Sequence, residues 1–154
     1  MSNINVAIAD DNERIRQNLQ EIVSRERDMT IVGSAADGLD ALAIIRENHP
    51  DVVLLDIIMP KMDGLGVLEE VKKDEKLLKK PAFIILTAMG QEKVMEEAIE
   101  LGANYVLLKP FNQNSLVKKI RQIKNGKAEV GKKDFIRLEE KQQEQDRNYQ
   151  LEII

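Results

Sequence analysis

The sequence predicts an α/β fold, a doubly wound parallel sheet of five strands covered on both faces by five helices. Three observations carry that reading. Short apolar runs of buried-strand length recur along the chain, the stretches between them change to helical spacing, and polar residues stand where four of the runs stop.

The first run, Ile4 to Ala9, stops at Asp10-Asp11-Asn12, and Ile15, Leu19, Ile22 and Val23 then form one apolar helical stripe. Met29 to Ala35 is the second run, followed by Leu42 and Ile45 at helical spacing. Val52 to Leu55, the third, stops at Asp56. Asp63-Gly64 marks the turn that opens the next helix, whose stripe is Leu65, Leu68 and Val71. Phe83 to Leu86 stops at Thr87 and precedes Val94, Ala98 and Leu101. Leu101-Gly102 marks a helix end, where glycine accepts a left-handed conformation without steric cost. Tyr105 to Leu108 stops at Lys109, and Leu116, Ile120 and Ile123 supply the last stripe. Pro60, Pro81 and Pro110 all fall at element borders.

With 154 residues, 43% of them hydrophobic, the chain can bury one core rather than two. A formal net charge of -4 supplies no basic field for nucleic acid or anionic lipid. The absence of cysteine excludes disulfides, thiolate metal sites and cysteine nucleophiles. The amino terminus has neither the basic region nor the apolar stretch of a signal peptide, and no apolar run is long enough to span a bilayer. A cytoplasmic protein without membrane contact is expected.

From about Asn125 the composition changes. Residues 126–154 are mostly Lys, Glu, Gln, Asp and Arg, and the expectation is a polar linker or projecting helix after a domain of residues 1–125. Phe135, Ile136 and Leu138 could dock one turn onto that domain. Tyr149 to Ile154 turns apolar again, like the start of another element.

In a parallel sheet the carboxyl ends of neighbouring strands open into one crevice, so Asp10, Asp11, Asp56, Thr87 and Lys109 should meet there. Crowded carboxylates raise one another's pKa unless a cation neutralises them. An all-oxygen set without histidine or cysteine suits Mg²⁺, for which Ca²⁺ or Mn²⁺ could substitute. Asp56, on the central strand, is best placed as a nucleophile toward phosphorus. Lys109 would offset phosphoryl charge and Thr87 would donate a hydroxyl. Each residue also has a duller explanation. Asp10-Asp11-Asn12 could cap the first helix, Asp56 could be a turn residue, Thr87 a strand-end hydroxyl and Lys109 a snorkelling surface lysine. Their coincidence at the ends of four strands favours a site. His49, at a helix end before Pro50, reads as a surface residue, and the methionines read as packing or loop residues.

Ala9-Asp10-Asp11-Asn12, the stretch from Leu55-Asp56 to Asp63-Gly64, Leu86-Thr87-Ala88 and Leu108-Lys109-Pro110-Phe111 together resemble the signature of receiver domains of two-component response regulators. The resemblance covers residues 2 to about 124. It implies the flavodoxin-like (βα)5 fold with strand order 2-1-3-4-5, a phosphoacceptor at Asp56, and Mg²⁺ held by Asp10, Asp11, Asp56 and the main-chain carbonyl of Ile58. It also implies a cis Lys109-Pro110 peptide and catalytic support from Thr87 and Lys109. The donor would be a histidine kinase or histidine phosphotransferase, and the chain would be a phosphoacceptor that assists its own chemistry rather than a turnover enzyme. Within the family, Asp56-Ile57-Ile58-Met59-Pro60, Leu86 to Glu92 and Gly102-Ala103-Asn104-Tyr105 are similar to receivers of sporulation regulators of endospore-forming bacteria. Such a receiver forms a homodimer on phosphorylation and acts on DNA through a C-terminal domain, which this chain would lack. A stand-alone receiver, serving as a relay intermediate or interaction module, is the other possibility.

Two positions depart from the family's usual pattern. An aromatic commonly stands three residues before the lysine, and here that position is Val106; Tyr105 should face the other side of the sheet. The signal is then expected to travel around Thr87 to Val94. Ile58 and Met89 are apolar where other receivers place polar groups, so water exclusion should prolong the life of the acyl phosphate. Three other functions compete. Asp10-Asp11 would repel a flavin phosphate, Ile58 replaces the second acid of aspartate-nucleophile phosphohydrolases, and a purely structural module would bind neither Mg²⁺ nor beryllofluoride.

Overall fold

The computed structural model describes residues 3–88 and 91–124. The elements alternate: β1 (Ile4–Ala9), α1 (Glu13–Ser24), β2 (Met29–Ala35), α2 (Gly38–Asn48), β3 (Val52–Asp56), α3 (Gly64–Lys73), β4 (Ala82–Ala88), α4 (Glu92–Glu100), β5 (Tyr105–Lys109) and α5 (Gln113–Lys124). All strand pairs are parallel and the order is β2-β1-β3-β4-β5. This is the flavodoxin-like (βα)5 fold, with the strand order expected from the sequence. The chain leaves β1 in one direction to reach β2 and crosses back to place β3 on its other side. That reversal opens a crevice at the carboxyl ends of β1 and β3.

Strand alternation sorts the apolar residues into two cores. Ala7, Val53, Leu55, Ile85, Val106 and Leu108 meet residues of α2, α3 and α4, including Ile45, Leu68 and Met95. Val6, Ile8, Leu54, Ile84, Leu86 and Leu107 meet α1 and α5 through Leu19, Ile22, Leu116 and Ile120. Because β3 is buried on both faces, its apolar residues follow one another without polar interruption. Truncating Leu54 to alanine would cost about 2–5 kcal/mol of stability. Tyr105 packs on the α1/α5 side and Val106 on the other, as alternation requires.

Side chains cap four of the helices that leave the functional edge, α5 through Asn112, which accepts from Asn114 N–H at 2.8 Å. Asn12 accepts from Ile15 N–H at 3.2 Å, Asp37 from Asp40 N–H at 2.8 Å and Asp63 from Gly66 N–H at 2.8 Å. The capping explanation for Asp10-Asp11-Asn12 therefore holds for Asn12 alone. His49 is exposed and ends α2 in a left-handed conformation, with φ 46° and ψ 58°. No helix among the described residues is long and apolar enough to cross a membrane. Residues 126–154, with Phe135, Ile136, Leu138 and Tyr149 to Ile154, lie outside the described residues, as does Met89.

Candidate functional site

Asp56 is the last residue of β3, Lys109 the last of β5 and Thr87 the penultimate residue of β4, while Asp10 and Asp11 follow β1 directly. Carboxylate oxygens of Asp10, Asp11 and Asp56 all lie within 4.8 Å of one another. Lys109 enters the same pocket, its Nζ 2.7 Å from Asp10 Oδ2 and 3.5 Å from Asp56 Oδ1. Four of the five predicted residues thus meet, although 99 positions separate Asp10 from Lys109, while the Thr87 hydroxyl, on the neighbouring strand, bonds to Gln91 instead.

Burial makes the cluster costly. Asp10 is 1% exposed and Asp56 9%, whereas Asp11 is exposed at the rim. Burial, followed by the charge of Asp10, pushes the Asp56 carboxyl up to about 6; the ammonium of Lys109 pulls the other way without winning. Three carboxylates face one ammonium, all donors are oxygen, and none is histidine or cysteine. That donor set fits a hard divalent cation such as Mg²⁺, which uses few carboxylates and keeps water ligands.

The surrounding loops hold these groups in place. Asp10 N–H donates to Ala35 carbonyl at 3.1 Å, Asp10 Oδ1 accepts from Asn12 N–H at 2.9 Å, and Arg16 Nη1 donates to the Asp10 carbonyl at 2.8 Å. After β3, Gly64 N–H donates to Ile57 carbonyl at 2.7 Å. Any Cβ at Gly64 would sit 2.5 Å from the Asp56 carbonyl oxygen, so only glycine lets α3 start this close to the Asp56 backbone. Ile58, two residues past Asp56, has a side chain facing solvent at 60% exposure. The Lys109-Pro110 peptide is cis.

Two contacts have no counterpart in the sequence reading. Arg16, one turn into α1, grips the backbone of Asp10; its position on the helix relative to Asn12 was the only available signal. Thr87, 1% exposed, donates its hydroxyl to Gln91 Oε1 at 3.1 Å, a contact across the β4–α4 loop.

A family model for the response regulator receiver domain matches residues 6–121, and the chain belongs to that family. It is similar in structure to a DNA-binding response regulator of the LuxR family from Staphylococcus aureus, at 33% identity and TM-score 0.72, covering 79% of this chain and 98% of that one. The response regulator domain of Thermotoga maritima CheB is 30% identical with TM-score 0.71, over 80% of this chain and 97% of that one. A CheX–CheY complex with BeF3 and Mg from Borrelia burgdorferi is also similar, at 29% identity and TM-score 0.69, covering 78% and 88%. Receiver domains are phosphoacceptors that bind Mg²⁺ at an acidic pocket and work with histidine kinases or phosphotransfer proteins, and this chain brings three aspartates together at the strand ends.

Proposed function

We propose that this chain accepts a phosphoryl group on Asp56 from a phosphohistidine donor and thereby changes the state of a response regulator. The convergence of Asp10, Asp11, Asp56 and Lys109 in one pocket carries the reading. An Asp56 carboxylate oxygen attacks phosphorus, the N–P bond of the donor breaks as the O–P bond forms, and the released imidazole nitrogen takes up a proton. Asp10 and Asp11, with Asp56 and the Ile58 carbonyl, would hold Mg²⁺. Bound there, the ion supplies positive charge against the phosphoryl oxygens. Lys109 supplies a second positive charge, already seated between Asp10 and Asp56. Thr87 donates its hydroxyl to a phosphoryl oxygen after transfer.

Phosphorylation biases a pre-existing equilibrium by its differential contacts with the two states. In our reading the favoured state dimerises and acts through a DNA-binding domain reached by residues 126–154, in a cytoplasmic regulator of sporulation initiation. Two observations support this output. One structural neighbour is described as a DNA-binding response regulator, and the motifs around Asp56, Thr87 and Gly102 resemble sporulation receivers. The Borrelia complex, with its BeF3 and Mg, supports the choice of ligand and probe. Titration with beryllofluoride in the presence and absence of Mg²⁺, followed by NMR, tests the site: Mg²⁺-dependent shifts around Asp56, Thr87 and Lys109 are expected. Their absence would leave an interaction module without phosphoacceptor chemistry.

A further inference from the structure

A hydroxyl as buried as that of Thr87 needs a partner inside the protein, and the partner is the side chain of Gln91. A threonine hydroxyl carries one proton and donates to one acceptor at a time. In the reading above, that proton goes to a phosphoryl oxygen once Asp56 is modified. Donation to Gln91 and donation to the phosphoryl group therefore exclude each other.

Gln91 occupies the N-cap position of α4. Its backbone, at φ -118° and ψ 41°, lies outside the extended region used by the caps of α1, α2 and α3, and its side chain makes no capping bond to its own helix. The amide oxygen that could satisfy a first-turn N–H of α4 accepts from Thr87 instead. Alternation along β4 puts Thr87 on the side of Phe83 and Ile85, which is the α4 side of the sheet.

We infer that Gln91 is a latch, a positioning residue that holds the Thr87 hydroxyl proton in the unmodified protein and ties its release to the first turn of α4. The inference rests on Asp56 as phosphoacceptor. Phosphorylation, by drawing the proton away, frees the Gln91 amide and with it the amino end of α4. The latch opposes activation by one neutral hydrogen bond, so its removal should favour the phosphorylated state several-fold.

The test compares wild type with Gln91→Ala and with Gln91→Met, which keeps length and lacks the amide oxygen. Both should bind beryllofluoride with Mg²⁺ about threefold to tenfold more tightly, the range for one such bond. In a Thr87→Ala background the same substitutions should have no effect, because the bond they remove is already gone. Unchanged or weaker binding in the single variants, or the same gain without Thr87, would overturn the latch. A ligand-free readout is independent of the phosphoacceptor reading: amide exchange at Met95, Glu96 and Glu97, the first amides of α4 with partners inside the helix, should quicken in Gln91→Ala and Thr87→Ala alike. Exchange altered by neither would also overturn it. Failure of wild type to bind beryllofluoride would instead count against the assigned function, while the exchange data still decide the latch.

Discussion

The two ends of the sheet treat the same residue type in opposite ways. At the carboxyl edge, Asp10, Asp11 and Asp56 crowd around one ammonium, and the Asp56 carboxyl is pushed upward. At the amino edge, Asp51 is also withdrawn from water, which raises its pKa, but donors outweigh that effect. Asn5 N–H at 2.8 Å, Lys124 Nζ at 2.9 Å and Lys79 Nζ at 3.6 Å hold it below the usual carboxylate range. Nearby, Asp28 takes both arms of Arg121 at 2.9 Å and is likewise held low, chiefly by that hydrogen-bonded pairing. One edge satisfies its carboxylates and fastens α5 to the sheet. The other leaves charge uncompensated, at a cost in stability, at the place where the proposed function puts a cation and a phosphoryl group.

Substitution should separate these edges cleanly. Asp56→Asn removes the carboxylate that the proposed function makes the nucleophile, so labelling by acetyl phosphate, read on a phosphoprotein gel, should fall to background. The same variant should be more stable than wild type without metal at pH 7.5, by about 1–2 kcal/mol in denaturant unfolding, since a buried charge is gone. Asp51→Ala should do the reverse: stability falls by about 1–3 kcal/mol because Asn5 N–H and Lys124 lose their partner, while labelling persists. A destabilised Asp56→Asn would mean that the acidic pocket is not strained.

Acidity should move the two edges in opposite directions. A carboxyl at about 6 in the folded chain and near 3.8 unfolded binds more protons when folded, so its contribution to stability rises as pH falls between those values. The stability gap between Asp56→Asn and wild type should therefore shrink from pH 7 toward pH 4. Asp51 and Asp28 behave conversely. Their stabilisation is present above the unfolded value and is lost as pH falls through their lowered folded values. A gap independent of pH would assign the excess stability of Asp56→Asn to something other than charge. The smallest expected effect concerns Ile58: Ile58→Asn should speed hydrolysis of the aspartyl phosphate by a few-fold to about tenfold, followed by loss of label after donor removal.

Only the carboxyl-edge half of this contrast is legible in the sequence. Apolar runs and stripes fixed the strand and helix sequence, with β1 and β2 bounded as the runs suggested. Strands β3, β4 and β5 extend further than their apolar runs. Backbone pairing carries polar residues into the ladder, as in Asp56 opposite Leu86 and Thr87 opposite Leu108. Hydrophobic pattern reports side-chain burial and is blind to such pairing. The acidic pocket was legible because its members end strands. Gln91 and Arg16 were not, because a side chain reaching across a loop, or back to a carbonyl, leaves no period in the sequence. The amino-edge pairs were hidden for the same reason: Arg121 lies 93 residues from Asp28.

Mapping the modified residue by mass spectrometry, after incubating the protein with acetyl phosphate and Mg²⁺, addresses the acidic pocket itself. The account predicts a hydroxylamine-labile phosphoryl adduct on the peptide containing Asp56, formed only with the divalent cation and missing from Asp56→Asn. An adduct at another residue, or one formed equally without the cation, would contradict it.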